Sequence, residues 1–159
     1  MTERQKLIAE KQHIMAVKAA LKRLCGVEVI QIFENNENPE LNDMYSVYQP
    51  IMCSYMGKPY SKISYRSSKE EIILWIVSNM NLKEGNIYFF YCLGTWVKIK
   101  LSDLFEGVWS LFDYSGGSCG FLLSDVSMSH MMEVSFDSRD EENYCIDIWK
   151  YKNKWFYAI

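Results

Sequence analysis

Apolar residues at Leu7, Ile8, Ile14, Met15, Leu21, Leu24 and Cys25 fall on one face at helical spacing and predict a helix over about 2–25. Thr2 can cap its start, and Gly26 suits the residue just past its end. The period then changes. Val27 to Glu34 alternates and is β-branched, which predicts a strand. Asn35 to Asp43 is polar with Pro39 and reads as a loop. From Tyr45 to Tyr65 the chain is aromatic-rich and interrupted by Pro50 and Pro59. Two short strands are expected there, with Gly57-Lys58-Pro59 as a turn.

Helical spacing returns at Ile72, Ile73, Ile76, Val77 and Met80, within a helix predicted from Ser67 to Met80. Ser67 with Glu70, or Ser68 with Glu71, supplies a capping box. Asn86 to Leu93 is almost continuously apolar, which predicts a central strand. Gly94-Thr95 turns into an alternating strand, Trp96 to Lys100, and Ser102 caps a short helix from Asp103 to Phe112. Only strand signals follow: Gly120 to Ser124, His130 to Phe136, Asn143 to Tyr151 and Trp155 to Ala158, with Asn153 in a tight hairpin. Short connections between these last strands predict an antiparallel meander. The expected fold is α+β, a single domain over 1–159. It has an N-terminal helix, mixed elements over 27–112 and antiparallel strands over 119–158, with the helices on one face of the sheet.

Composition supports a packed domain, with 49% hydrophobic and 15% aromatic residues in 159. Five cysteines are scattered without C-x-x-C spacing. All but Cys119 have bulky apolar neighbours, which predicts buried free thiols in a reducing cytosol. The start, Met1-Thr2-Glu3-Arg4-Gln5, is not that of a signal peptide. The longest nearly apolar run, Ile87 to Trp96, is too short to cross a bilayer. A cytoplasmic protein is expected.

Charge is divided unevenly. The first helix carries six bases and two acids, a net of +4. The stretch from Asp113 to Asp147 holds eight acids and one base, Arg139, a net of −7 against −3 for the whole chain. Tyr114, Phe121, Phe136, Tyr144 and Cys145 are interleaved with those acids. A concentrated negative field suggests a basic partner and disfavours nucleic acid.

Candidate chemistry is sparse. Gly116-Gly117-Ser118-Cys119-Gly120 matches G-x-S-x-G, and Asp125 and His130 follow in triad order. The expected helix before and strand after reverse the order a nucleophile elbow needs. Cys119 with His130 could form a thiol–imidazole pair, the enzyme alternative. With His13 and His130 the only histidines, and no clustered cysteine ligands, no metal or cofactor is expected. The run Asp137-Ser138-Arg139-Asp140-Glu141-Glu142-Asn143 has no glycine and lacks the frame of a calcium loop, so it reads as a solvated turn between strands.

Three segments carry a resemblance. They are Ile87-Tyr88-Phe89-Phe90-Tyr91, the run from Trp96 to Phe105, and the hairpin from Phe136 to Tyr144. With them the chain resembles the immunity proteins of bacterial contact-dependent growth inhibition and related polymorphic toxin systems. The resemblance implies a cytosolic protein that binds and neutralises one cognate toxin domain, often a nuclease, and has no catalytic residue of its own. The expected contacts are Asp125, Asp137, Asp140, Glu141, Glu142 and Tyr144. Strand periodicity puts Asp147 on the face of Cys145 and Trp149, where burial would keep it from a partner. A homo-oligomer, pairing the basic helix of one copy with the acidic strands of another, is a further alternative.

Overall fold

The computed structural model describes residues 1–114, 120–136 and 139–159. Among these, four helices and eight strands form an α+β domain, as the sequence predicts. The strands pair in the order β1-β4-β3-β5-β6-β7-β2, with β8 also beside β7. They are β1 (Val27–Ile32), β2 (Ser61–Ser64), β3 (Ile87–Cys92), β4 (Thr95–Leu101), β5 (Phe121–Asp125), β6 (His130–Ser135), β7 (Asn143–Lys152) and β8 (Trp155–Ala158). Every pairing is antiparallel, and β5 to β8 run as a meander.

The apolar strand β3 lies inside the sheet, between β4 and β5. Its residues alternate between two cores: Phe90 faces one and Phe89 the other. The β3–β4 turn falls one residue earlier than expected, on Leu93 and Gly94, both at positive φ. Asn153 and Lys154, also at positive φ, make the tight β7–β8 hairpin.

Helices α1 (Glu3–Lys22), α3 (Lys69–Met80) and α4 (Leu104–Asp113) cover one face of the sheet. Capping boxes start α1 at Thr2 and α3 at Ser68. Asp103, not Ser102, caps α4, accepting from the Glu106 N–H at 2.9 Å. Gly26 permits the turn between α1 and β1 to approach α4. Its φ is +71°, and a Cβ there would lie 2.6 Å from the Gly107 nitrogen.

Two expectations need correction. Residues expected as a loop and two strands form α2 (Pro39–Ser54), and only β2 follows. Asn38 caps α2 by accepting from the Leu41 N–H at 3.2 Å, and Pro39 occupies the first turn, where its missing N–H costs nothing. Leu41, Met44 and Tyr48 recur at helical spacing and bury against Phe89, Trp96, Met131 and Trp149. That burial outweighs the β preference of Tyr45, Val47 and Tyr48 and the interior Pro50. The second correction follows: α2 covers the opposite face, so the sheet is sandwiched between helices.

Helix α1 also departs from its pattern. Twenty residues span about 30 Å, and only the C-terminal half packs, through Val17, Ala20 and Leu21. Leu7, Ile8 and Met15 are exposed, Met15 by 69%. Among the cysteines, Cys92 and Cys145 are buried as expected, whereas Cys25 and Cys53 are exposed at helix ends.

Candidate functional site

The expected acidic surface divides into two ends of one hairpin. Asp125 ends β5, and the β5–β6 turn folds over its carboxylate. Oδ1 accepts from the backbone of Ser129 and of His130, each at 2.9 Å. Oδ2 accepts from the Ser129 hydroxyl at 2.6 Å and from that of Ser127. Partial burial alone would raise the pKa of this carboxyl, but the converging donors more than offset that and lower it. Asp125 therefore organises its turn. The other candidates lie beyond Ser135, past the six residues of β6, about 20 Å away.

At that far end Asp140 also serves its turn. It accepts from the Glu142 backbone at 3.0 Å, the main reason its pKa is lowered, then from the Asn143 amide at 2.9 Å and from Lys62 at 3.4 Å. Glu141 and Glu142 are exposed. Asp137 lies outside the described residues. Tyr144 is half-buried and meets the Phe112 and Phe136 rings edge-on at 5.1 and 5.8 Å. Phe136 is 51% exposed and meets the exposed Tyr65 ring edge-on at 6.0 Å. The Tyr65 N–H donates to the Glu142 carbonyl at 3.1 Å, which ties this aromatic pair to the turn that carries the two exposed glutamates.

The one base of this stretch turns inward. Arg139 forms two bonds with Asp147, at 3.1 and 2.5 Å, donates to the Gly57 carbonyl at 3.3 Å and lies 5.3 Å from the centre of the Tyr55 ring. Asp147 is 2% exposed, on the face of Trp149, as the alternation of β7 predicts.

A third feature escaped sequence reasoning. A cavity of about 580 Å³ opens between α2, the ends of β3 and α4, and the far end of β6. The β3–β5 ladder ends beside it, at the Phe90–Leu123 pair, and Tyr91 and Leu122 are not paired with each other. Its walls include Tyr45, Tyr48, Tyr91 and Tyr114, and Glu133 is the one carboxylate among the described residues lining it. Glu133 sits directly across from Asp147 and accepts from the Tyr48 hydroxyl. Tyr45 and Tyr91 stack with centroids 4.2 Å apart. Burial, then the bond to Tyr91, raises the pKa of Tyr45. Burial, then the charge of Glu133, raises that of Tyr48. Burial pushes Tyr114 up to about 12, with the Cys92 thiol and Glu133 contributing. These phenols are neutral donors at neutral pH. The alternation of β6 does place Glu133 with Met131 on one face, but the tyrosines come together only through α2.

For the enzyme alternative, Ser118 and Cys119 lie outside the described residues. The neighbouring Gly120 packs against Val134, while His130 is at the opposite end of β6 and pairs with the Ser129 hydroxyl at 2.9 Å. No group of three or more metal-ligating side chains occurs among the described residues, and none of their helices is long and apolar enough to cross a membrane. No family model, curated protein or solved structure matches this chain.

Proposed function

We propose that this chain is an immunity protein that binds and neutralises a cognate bacterial toxin domain, a basic nuclease, through the acidic and aromatic end of the β6–β7 hairpin. One observation carries this reading: the exposed Tyr65 and Phe136 rings meet at the end of the hairpin whose turn carries exposed Glu141 and Glu142, with the Tyr65 N–H bonded to the Glu142 carbonyl. Rings of this kind give contact area at low entropic cost, and flanking carboxylates steer a cationic surface into register. The same charge opposes direct binding of nucleic acid. Glu141 and Glu142 are the carboxylates available for contact. Asp140 shapes the turn that presents them, Tyr144 supports Phe136 from beneath, and Asp125 stands at the other end of the hairpin. The protein acts in the cytoplasm, by occupancy, with no catalytic group or cofactor.

The reading is tested by co-expression with the toxin encoded immediately upstream. The wild-type chain should restore growth. Glu141→Lys/Glu142→Lys and Phe136→Ala should fail to do so while remaining folded. Full protection by both variants would refute the hairpin as the contact.

A further inference from the structure

Helix α1 offers a face that no element of its own chain covers. Arg4, Ile8, Lys11 and Met15 follow one another at spacings of four, three and four, so they share one face of the helix, and all four are exposed. Leu7, also exposed, flanks Ile8. The acid Glu10 is turned instead toward the cleft it lines with Phe33 and Glu34. Base and apolar residue thus alternate along this face. Its complement is an apolar groove with an acidic rim, the arrangement that receives basic amphipathic helices.

Such a groove, of about 760 Å³, lies between α3 and α4. Ile73, Leu74, Phe105 and Trp109 form its apolar walls, and Leu74 and Phe105 are 53% and 51% exposed. Its acids, Glu70, Asp103 and Glu106, are all exposed. Lys69, held 5.2 Å from the centre of the Trp109 ring, is the one base among the described lining residues. Asp103 already caps α4, which leaves Glu70 and Glu106 for contact. The α1 of the same chain cannot fill this groove. Cys25, just past that helix, lines it, with its N–H bonded to the Ser110 hydroxyl at 2.8 Å. Ile8 stands about 21 Å up the helix from Lys22. We propose that the exposed face of α1 docks in the α3–α4 groove of a second copy of this chain. Ile8 and Met15 enter the groove, and Arg4 and Lys11 meet Glu70 and Glu106. Ile8 and Met15 are about 10 Å apart along their helix, within the roughly 15 Å length of α4. The inference does not rest on toxin binding, because neither surface includes a residue of the β6–β7 hairpin.

The test is sedimentation velocity of the whole chain over a concentration series, with circular dichroism of each variant to confirm its fold. Self-association beginning with a dimer is expected, and added salt should weaken it because the charged contacts lie at an exposed rim. Ile8→Glu/Met15→Glu on the helix and Leu74→Glu/Phe105→Glu in the groove should each weaken association at least tenfold. Arg4→Glu/Lys11→Glu should weaken it similarly, as should Glu70→Lys/Glu106→Lys. Mixing those two charge-reversed chains makes helix and groove opposite in sign again and should restore association. A chain that stays monomeric at about 200 µM would overturn the inference, as would association unchanged in the apolar variants or no recovery on mixing. A monomer that binds anionic lipid vesicles through α1 would also overturn it and would assign that face to a membrane.

Discussion

Removing Arg139 should destabilise the protein far more than a surface arginine would. The guanidinium side chain is 8% exposed and its partner Asp147 only 2%, although Arg139 belongs to the turn read from sequence as solvated. Arg139→Ala leaves the Asp147 carboxylate buried across from Glu133 with its main countercharge gone. Deleting one partner of a buried pair costs roughly 3–5 kcal/mol, whereas exposed pairs contribute about 0–1 kcal/mol. For a chain of this length each kcal/mol moves Tm by about 2–4 °C, so a fall of about 6–20 °C is expected. The assay is urea unfolding followed by tryptophan fluorescence and circular dichroism, with thermal melts alongside. The double variant Arg139→Met/Asp147→Leu should recover most of the loss, because apolar residues of similar size remove the stranded charge as well as the pair. A loss below about 1 kcal/mol for Arg139→Ala, or a double variant as unstable as the single one, would refute the buried-pair argument.

Asp125 should contribute stability with a defined pH dependence. Its folded pKa lies below the ordinary 3.8, so the contribution is present above that value and is lost as pH falls through the folded pKa. Asp125→Asn should therefore cost about 1 kcal/mol at pH 7, allowing for partial exposure, and the gap from wild type should close below about pH 4 in chemical denaturation. A gap constant down to pH 2.5 would contradict this. Gly26→Ala should cost about 2–5 kcal/mol, from a left-handed φ of +71° and a Cβ 2.6 Å from the Gly107 nitrogen. A variant within 0.5 kcal/mol of wild type in urea unfolding would contradict it.

Much of the fold could be read from the sequence because hydrophobic burial follows the period of each element. The nearly continuous apolar run of β3 marked a central strand, and the alternation of β7 placed Asp147 on the face of Trp149. Helix α2 was hidden because Tyr45, Val47 and Tyr48 favour strands and Pro50 argues against a helix interior. The signals for it were Asn38 before Pro39 and the spacing of Leu41, Met44 and Tyr48. Missing α2 also concealed the cavity, since Tyr45 and Tyr48 are two of its walls. The acidic stretch misled for a different reason. A charge count does not tell a carboxylate facing solvent from one accepting backbone bonds. Asp125 has Ser127 and Ser129 beside it, and Asp140 has Asn143 three residues on; such short polar spacings signal turn formation. Arg139 could not be read as buried, because its partner is eight residues away and its stacking ring is Tyr55.

The central claim is that the end of the β6–β7 hairpin binds a basic protein partner. The direct measurement is the affinity of the purified wild-type chain for a catalytically inactivated form of the toxin domain encoded immediately upstream, compared with that of Glu141→Lys/Glu142→Lys. The account predicts a stable complex with wild type and at least a hundredfold weaker binding by the variant, about 2.7 kcal/mol or more, with unchanged Tm and a slower association rate. Equal affinity for the two proteins, or no complex with the wild-type chain, would contradict it.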